Sequence, residues 1–188
     1  MILDQSGERG KVKRKIKERN FLEMRNKNMK DNIYKKAYIA GGCFWGVEEL
    51  FRTRPGVVDT EVGYIGGKID NPTYENHEGH AEGIEITYNS EETTFRDILE
   101  YFFKIHNPTT INQQGNDVGS SYRSAIFYQN EKELSDAQEV IKSVEEGDVW
   151  NDPVVTTLEP YTKFWNAEEY HQDYLQKNPG GYTCHFER

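Results

Sequence analysis

Apolar and polar positions along residues 35–188 switch between a period near two and a period near 3.6, and the switches mark out a series of elements. Ala37-Tyr38-Ile39-Ala40 is an apolar run stopped by Gly41-Gly42, which predicts a buried strand. Phe44, Val47, Leu50 and Phe51 then recur at helical spacing until Pro55-Gly56. Val57 to Ile65 has the β-branched content of a strand and closes at Gly66-Gly67, and Gly83 to Tyr88 alternates like a second. The clearest helix carries Phe95, Ile98, Leu99, Phe102 and Phe103 on one face, with Thr94 and Asp97 as a capping pair and Asn107-Pro108 as its stop. A polar loop, INQQGNDVGSS, leads to a strand over Tyr122 to Tyr128. A further helix places Leu134, Ala137, Ile141 and Val144 inward and ends at Gly147. Beyond Asp148 the chain is loop-rich, with a short helix expected from Asn166 to Lys177 and a stop at Gly180-Gly181.

The order β-α-β-β-α-β with a further helix predicts an α/β (α+β) two-layer sandwich with a ferredoxin-like split β-α-β core and a loop-rich C-terminal segment. Residues 1–34 stand apart. KVKRKIKERN is dense in charge and poor in apolar residues, so this stretch reads as a basic extension, mobile or a single helix, and Met29 could serve as an internal start. Residues 35–188 form the expected catalytic domain.

Charge follows the same division. Residues 1–36 hold 12 Lys/Arg against 5 Asp/Glu, and the rest hold 11 against 27, within a formal net charge of −9. An acidic body argues against a nucleic-acid-binding surface, because phosphate neutralisation needs clustered cations. No run approaches the roughly 20 apolar residues that cross a bilayer, and the N-terminus lacks the apolar core of a secretion signal. A cytoplasmic protein with no membrane contact is therefore expected, acting as a monomer. Two cysteines, Cys43 and Cys184, are too few for a disulfide scaffold or a four-cysteine zinc site, so in a reducing compartment they are either reactive or inert and buried.

Cys43 follows two glycines at a strand end and opens a helix. Unpaired amides and the positive end of the helix dipole at that position lower a thiol pKa from about 8.5 and favour the nucleophilic thiolate. A small buried hydrophobe suits the same position equally well. Phe44 and Trp45 favour reactivity, because two aromatics beside a thiol make an apolar wall for a methyl or thioether group. Trp45 lies off the apolar helical stripe, which marks it as the better pocket residue. Glu82, just before the alternating Ile84 and Ile86, is the candidate acid, since partial burial raises a carboxyl pKa.

Several blocks carry a family resemblance: GGCFWG at 41–46, GYIGG at 63–67, NPTY at 71–74, GHAE at 79–82, GNDVGSSYRS at 115–124 and a C-terminal NPGGYTCH. Together they resemble the peptide methionine sulfoxide reductase A class, in the family's order and over roughly residues 35–188. The resemblance implies reduction of methionine S-sulfoxide, free or in oxidised proteins. Cys43 would attack the sulfur, Glu82 would protonate the departing oxygen, Tyr74 and Tyr122 would donate hydrogen bonds to it, and Asp117 would be a further polar member. Among 12 tyrosines any single one is more commonly structural, and the matched blocks reverse that for these two. Attack leaves Cys43 as a sulfenic acid, which condenses with a second thiol. Cys184 is the candidate resolving thiol, with Gly180-Gly181 letting the tail swing. No bound cofactor and no metal are expected; thioredoxin or another dithiol would supply electrons. The chain departs from the commoner pattern in a short stretch between Tyr74 and Glu82 and in the place of Cys184, one residue later after Gly-Tyr. Were Cys184 a spectator, an external thiol would reduce the sulfenic acid directly.

Three rival readings are weighed against this one. His171 and Asn178 follow Cys43 at nearly papain-like separations, but Gly-Gly-Cys-Phe-Trp is not the papain-type signature. His80-Ala81-Glu82 matches half of a zinc deaminase motif, without the downstream Pro-Cys-x-x-Cys. A non-catalytic module could also hold methionine-containing peptides in the aromatic pocket.

Overall fold

The computed structural model describes residues 33–188, and the basic extension read over 1–34, Met29 included, lies outside the described residues but for its last two positions. One compact unit runs from Lys36 to Arg188. Its elements begin with β1 (Tyr34–Gly41), α1 (Phe44–Phe51), β2 (Val57–Ile65), β3 (Ala81–Asn89) and α2 (Phe95–Ile105). A short hairpin, β4 (Gln113–Gln114) and β5 (Asp117–Val118), precedes a 3₁₀ turn at Ser120–Tyr122. Then follow β6 (Ser124–Tyr128), α3 (Glu131–Glu145), β7 (Thr157–Pro160), β8 (Phe164–Asn166) and α4 (Tyr174–Lys177).

The main sheet has the order β7-β6-β1-β3-β2-β8. Its middle four strands are the expected split β-α-β core, in which β3 lies between β1 and β2. The edges come from the loop-rich C-terminal segment: β7 joins β6 in parallel and β8 joins β2 antiparallel, neither read from the sequence pattern.

Alternation along β1 buries both of its faces. Ala37 and Ile39 join Ile84, Ile86, Ile126 and the inward faces of all three long helices. Tyr38 and Ala40 turn the other way onto Ile65, Ala81 and Phe127, beneath Tyr161 and Phe164. The helix α2 is set by its N-terminus, where the Thr94 side chain accepts from the Asp97 amide at 3.1 Å and Asp97 accepts from the Thr94 amide at 2.9 Å. Phe95, Ile98, Leu99, Phe102 and Phe103 are all buried, each contributing about 1.5–3 kcal/mol.

In α3 Ala137 is buried as expected and Ile141 and Val144 pack against the core partly buried, with Val140 a further buried position and Leu134 partly exposed. Two expectations are corrected. Tyr122 lies in the 3₁₀ turn, and its strand begins at Ser124. The helix expected from Asn166 to Lys177 is helical only over Tyr174–Lys177. The preceding residues spend their hydrogen bonds on other elements: the Ala167 amide and the Gln172 side chain both bind Val62, and Glu168 binds Tyr64.

The turn between β1 and α1 positions the site. Gly42 has φ +103°, and a Cβ there would stand 2.5 Å from Gln114 Cβ. Gln114 is held in place by its side chain, which accepts from the Asn107 amide and donates to the Asn107 carbonyl. Gly42→Ala is therefore expected to cost at least about 2 kcal/mol in urea unfolding. Gly180→Ala, also at positive φ but with no atom within 4 Å, is expected to cost only about 1 kcal/mol.

Candidate active site

Cys43 is the N-cap residue of α1, with φ −53° and ψ 120°, and is 6% exposed. The first amides of a helix have no partner within it, and here they find the candidate nucleophile and the candidate acid. The Trp45 amide donates to the Cys43 sulfur. The Phe44 amide donates to Glu82 Oε2 at 3.2 Å. Glu82 stands on β3 opposite Tyr64 of β2 and is 3% exposed.

Burial dominates the electrostatics. The Glu82 carboxyl is pushed up to about 7 by desolvation, against the Phe44 amide and with a further upward push from the Asp117 charge. Cys43 is pushed up to about 12, first by burial and then by the Glu82 charge, with the Trp45 amide opposing. The dipole-stabilised thiolate expected from the sequence is corrected accordingly. A thiol this deeply buried loses more hydration than one helix terminus returns, so it keeps its proton while Glu82 is ionised.

A cavity of about 80 Å³ is lined by Cys43, Phe44, Trp45, Tyr74, Glu82, Asp117, Tyr122 and Tyr182. Seven of the eight candidate residues thus meet in one place, drawn from α1, β3, two loops and the β4–β5 hairpin. Burial, followed by the Glu82 charge, keeps the Tyr122 hydroxyl protonated, and the Tyr74 hydroxyl is pushed up for the same two reasons. Both are hydrogen-bond donors at neutral pH. Tyr74, 42% exposed, reaches the cavity on a short loop whose amide donates to Glu168 Oε1 at 2.9 Å. His77 ties that loop to the Tyr122 turn through Ser121 Oγ at 2.9 Å. The brevity of the stretch between Tyr74 and Glu82 does not keep Tyr74 from the site.

The eighth candidate, Cys184, lies just behind this cavity. Its sulfur is 3.4 Å from Asp117 Oδ2, which also accepts from the Tyr182 hydroxyl at 3.1 Å. Both cysteines are free thiols, close enough that a charge on Cys184 raises Cys43. Burial and the Asp117 bond push Cys184 up to about 11. Tyr182 was missed in the sequence reading, although it stands inside the NPGGYTCH block.

The rival constellations are not assembled. His171 accepts from Trp45 Nε1 at 3.1 Å through Nδ1, lies tilted against the Phe44 and Tyr74 rings, and does not line the cavity. Burial holds its imidazole below the usual range. It orients Trp45, whose indole also stacks on Tyr174 at 3.8 Å. Asn178 donates to the Tyr174 carbonyl at the end of α4. His80 is held between the Gly67 amide and the Ile69 carbonyl. A larger groove of about 450 Å³ between α2, α3 and Arg188 contains no nucleophilic thiol.

The family model for peptide methionine sulfoxide reductase matches residues 35–188. A Mycobacterium sp. (strain MCS) peptide methionine sulfoxide reductase MsrA is 57% identical over 155 residues, covering 82% of this chain and 91% of that protein. Mxr1 from Saccharomyces cerevisiae in reduced form superposes with a TM-score of 0.78 at 35% identity, over 84% of this chain and 93% of that one. Mxr1 in complex with Trx2 gives a TM-score of 0.59 at 28% identity, over 84% and 91% of the two chains.

The Glu82 carboxyl is expected to titrate with a midpoint near 7 in ¹³C NMR of glutamate-labelled protein. Asp117→Asn removes a neighbouring negative charge, which favours the carboxylate, and should move that midpoint down.

Proposed function

This chain belongs to the peptide methionine sulfoxide reductase family and reduces methionine sulfoxide to methionine, and we propose that Cys43 is its nucleophile and Glu82 its acid. The observation that carries the assignment is that the two groups line one cavity, with the Phe44 and Trp45 rings in its wall, and are fastened to consecutive amides of α1.

The sulfoxide sulfur is electrophilic, and its oxygen leaves only when protonated. Protonated Glu82 reaches that oxygen, with Tyr74 and Tyr122 as further donors, and the Phe44 and Trp45 rings receive the methyl group. The Cys43 sulfur bonds to the substrate sulfur as the protonated oxygen departs as water, and water then attacks the Cys43 sulfur and releases the thioether, so a thiol and a sulfoxide become a sulfenic acid and a thioether with no net proton change. The Cys184 thiol then displaces water from the sulfenic acid to give a disulfide. Thioredoxin or another dithiol returns both thiols to the reduced form, a role supported by the structure of Mxr1 with Trx2. Two thiols carry the electrons, so no bound cofactor is required. Among the described residues no helix is long and apolar enough to cross a membrane. A thiol cycle of this kind suits a reducing compartment, which supports a cytoplasmic location.

Incubation with each epimer of a methionine sulfoxide peptide and dithiothreitol, followed by chromatography of methionine, tests the activity. Turnover of the S epimer is expected, with complete loss in Cys43→Ser; preference for the R epimer would contradict the reading.

The pH dependence follows from proton counting. The reactive form, thiolate with carboxylic acid, has the same number of protons as thiol with carboxylate, and that total prevails between about 7 and about 12. Single-turnover kcat/KM should therefore fall tenfold per unit below about pH 7 and be level above it. In Glu82→Gln the plateau should vanish, leaving a rate that climbs with thiolate alone and is lower by about 10²–10⁴-fold near neutrality.

A further inference from the structure

We propose that His185 is the base that ionises Cys184 for its attack on the Cys43 sulfenic acid, a further catalytic residue for the second half of the reaction. The proposal rests on the reading of Cys184 as the resolving thiol. His185 is 6% exposed and its Nε2 lies 2.7 Å from the Gly41 carbonyl. A carbonyl only accepts, so Nε2 carries the hydrogen and Nδ1 of the neutral ring is left with a lone pair. That lone pair is 3.5 Å from Cys184 Sγ.

The ring is built into place. It packs on Gly46 of α1, where any side chain would collide with it and with Thr183. The Gly41 carbonyl it holds is two residues before Cys43. One imidazole therefore anchors the tail that carries Cys184 to the strand end that carries Cys43.

Asp117 is the other acceptor near Cys184, and it is the wrong sign for the task. A carboxylate beside a thiol holds the proton on sulfur, and its bond to Cys184 does raise that thiol. Transfer to His185 instead creates a thiolate–imidazolium pair, and the Asp117 charge favours the imidazolium. The other titratable or charged groups acting on the ring are His106 at the end of α2 and Arg188. His106 is held neutral by burial, down to about 3, while burial, helped by the Arg188 charge, keeps His185 itself neutral at rest.

In the step, Nδ1 takes the Cys184 proton and the thiolate attacks the Cys43 sulfur. The sulfur–oxygen bond breaks, and hydroxide leaves as water with a proton from Glu82, which that carboxylate has first taken up from solvent. The imidazolium then returns a proton to solvent, so no net proton is consumed. Cys184 is oxidised to the disulfide, Cys43 is reduced from sulfenic acid to the same disulfide, and one water is produced.

The test mixes the protein with stoichiometric methionine S-sulfoxide without reductant, following methionine release and loss of free thiols separately. His185→Gln keeps an amide hydrogen for Gly41 but lacks the ring lone pair. Methionine release should be unchanged, while disulfide formation should slow by about 100-fold near pH 7. The ratio of native to variant rates should shrink about tenfold per pH unit as the thiol ionises unaided. A variant slowed equally at every pH, or not slowed, would overturn the proposal. A native protein that released methionine yet never lost the second thiol would overturn the Cys184 reading itself. Should His185→Gln fail to fold, alkylation of Cys184 by iodoacetamide in Cys43→Ser decides: a rate level across about pH 6–8 is expected, and one climbing tenfold per unit throughout rejects the base.

Discussion

The hydrogen bond from the Phe44 amide to the Glu82 carboxyl is the contact on which the site depends. It fastens the proposed acid on β3 to the first turn of the helix that begins with the proposed nucleophile, so neither group can move without the other. The β2–β3 register supplies the rest of the constraint. Tyr64 opposes Glu82 and Val62 opposes Ile84, so Glu82 occupies the next inward position after Ile86 and Ile84. An apolar residue would complete that stripe. A carboxyl there is stripped of water by the same packing that buries its neighbours, and one backbone donor is too little to keep it fully ionised.

That burial creates a tension the chemistry uses. Desolvation protonates nucleophile and acid alike, and each ionised group disfavours ionisation of the other. The site therefore holds one proton too few for both groups across the neutral range. In the proposed mechanism a sulfoxide oxygen, a strong hydrogen-bond acceptor, favours the protonated form of Glu82, and the neutral carboxyl then ceases to oppose the thiolate. The cost of burying two titratable groups is thus offset at the moment the substrate oxygen binds, where electrostatic help is most effective in a water-poor cavity.

The core and much of the site were legible in the sequence because they rest on local signals. The glycine stop at 41–42, the period-two run through Ile84 and Ile86 and the Thr94 cap each specify their element within a few residues, and the blocks around Cys43, Tyr74, Glu82, Asp117 and Tyr122 could be matched position by position. The segment after Asp148 was not legible. Its strands are edges paired through register with distant partners, and Gln172, Glu168 and His171 act through contacts with residues about a hundred positions away. The ionisation of Cys43 is not legible for a related reason. Helix position is visible in one stretch of sequence, whereas desolvation is a sum over walls contributed by the whole fold.

The size of the cavity bears on what can enter it. At about 80 Å³ it is small against the 300 Å³ or more of a typical ligand site. On the proposed reading it receives the tip of a side chain, a methyl group and a sulfur with its oxygen, and leaves the rest of the substrate outside. Recognition would then depend on the apolar faces of Phe44 and Trp45 and on donors aimed at one oxygen, which His171, Tyr174 and Glu168 hold from behind. Since these contacts end at the sulfoxide, they place no demand on the residues flanking it, and a free amino acid and an exposed residue of an oxidised protein present the same group to Cys43. Handedness is the exception under the proposed roles: with the methyl against the rings, the oxygen on Glu82 and the tyrosines and the rest of the substrate leading out of the cavity, only one sulfur configuration would turn the face opposite its oxygen toward the thiol.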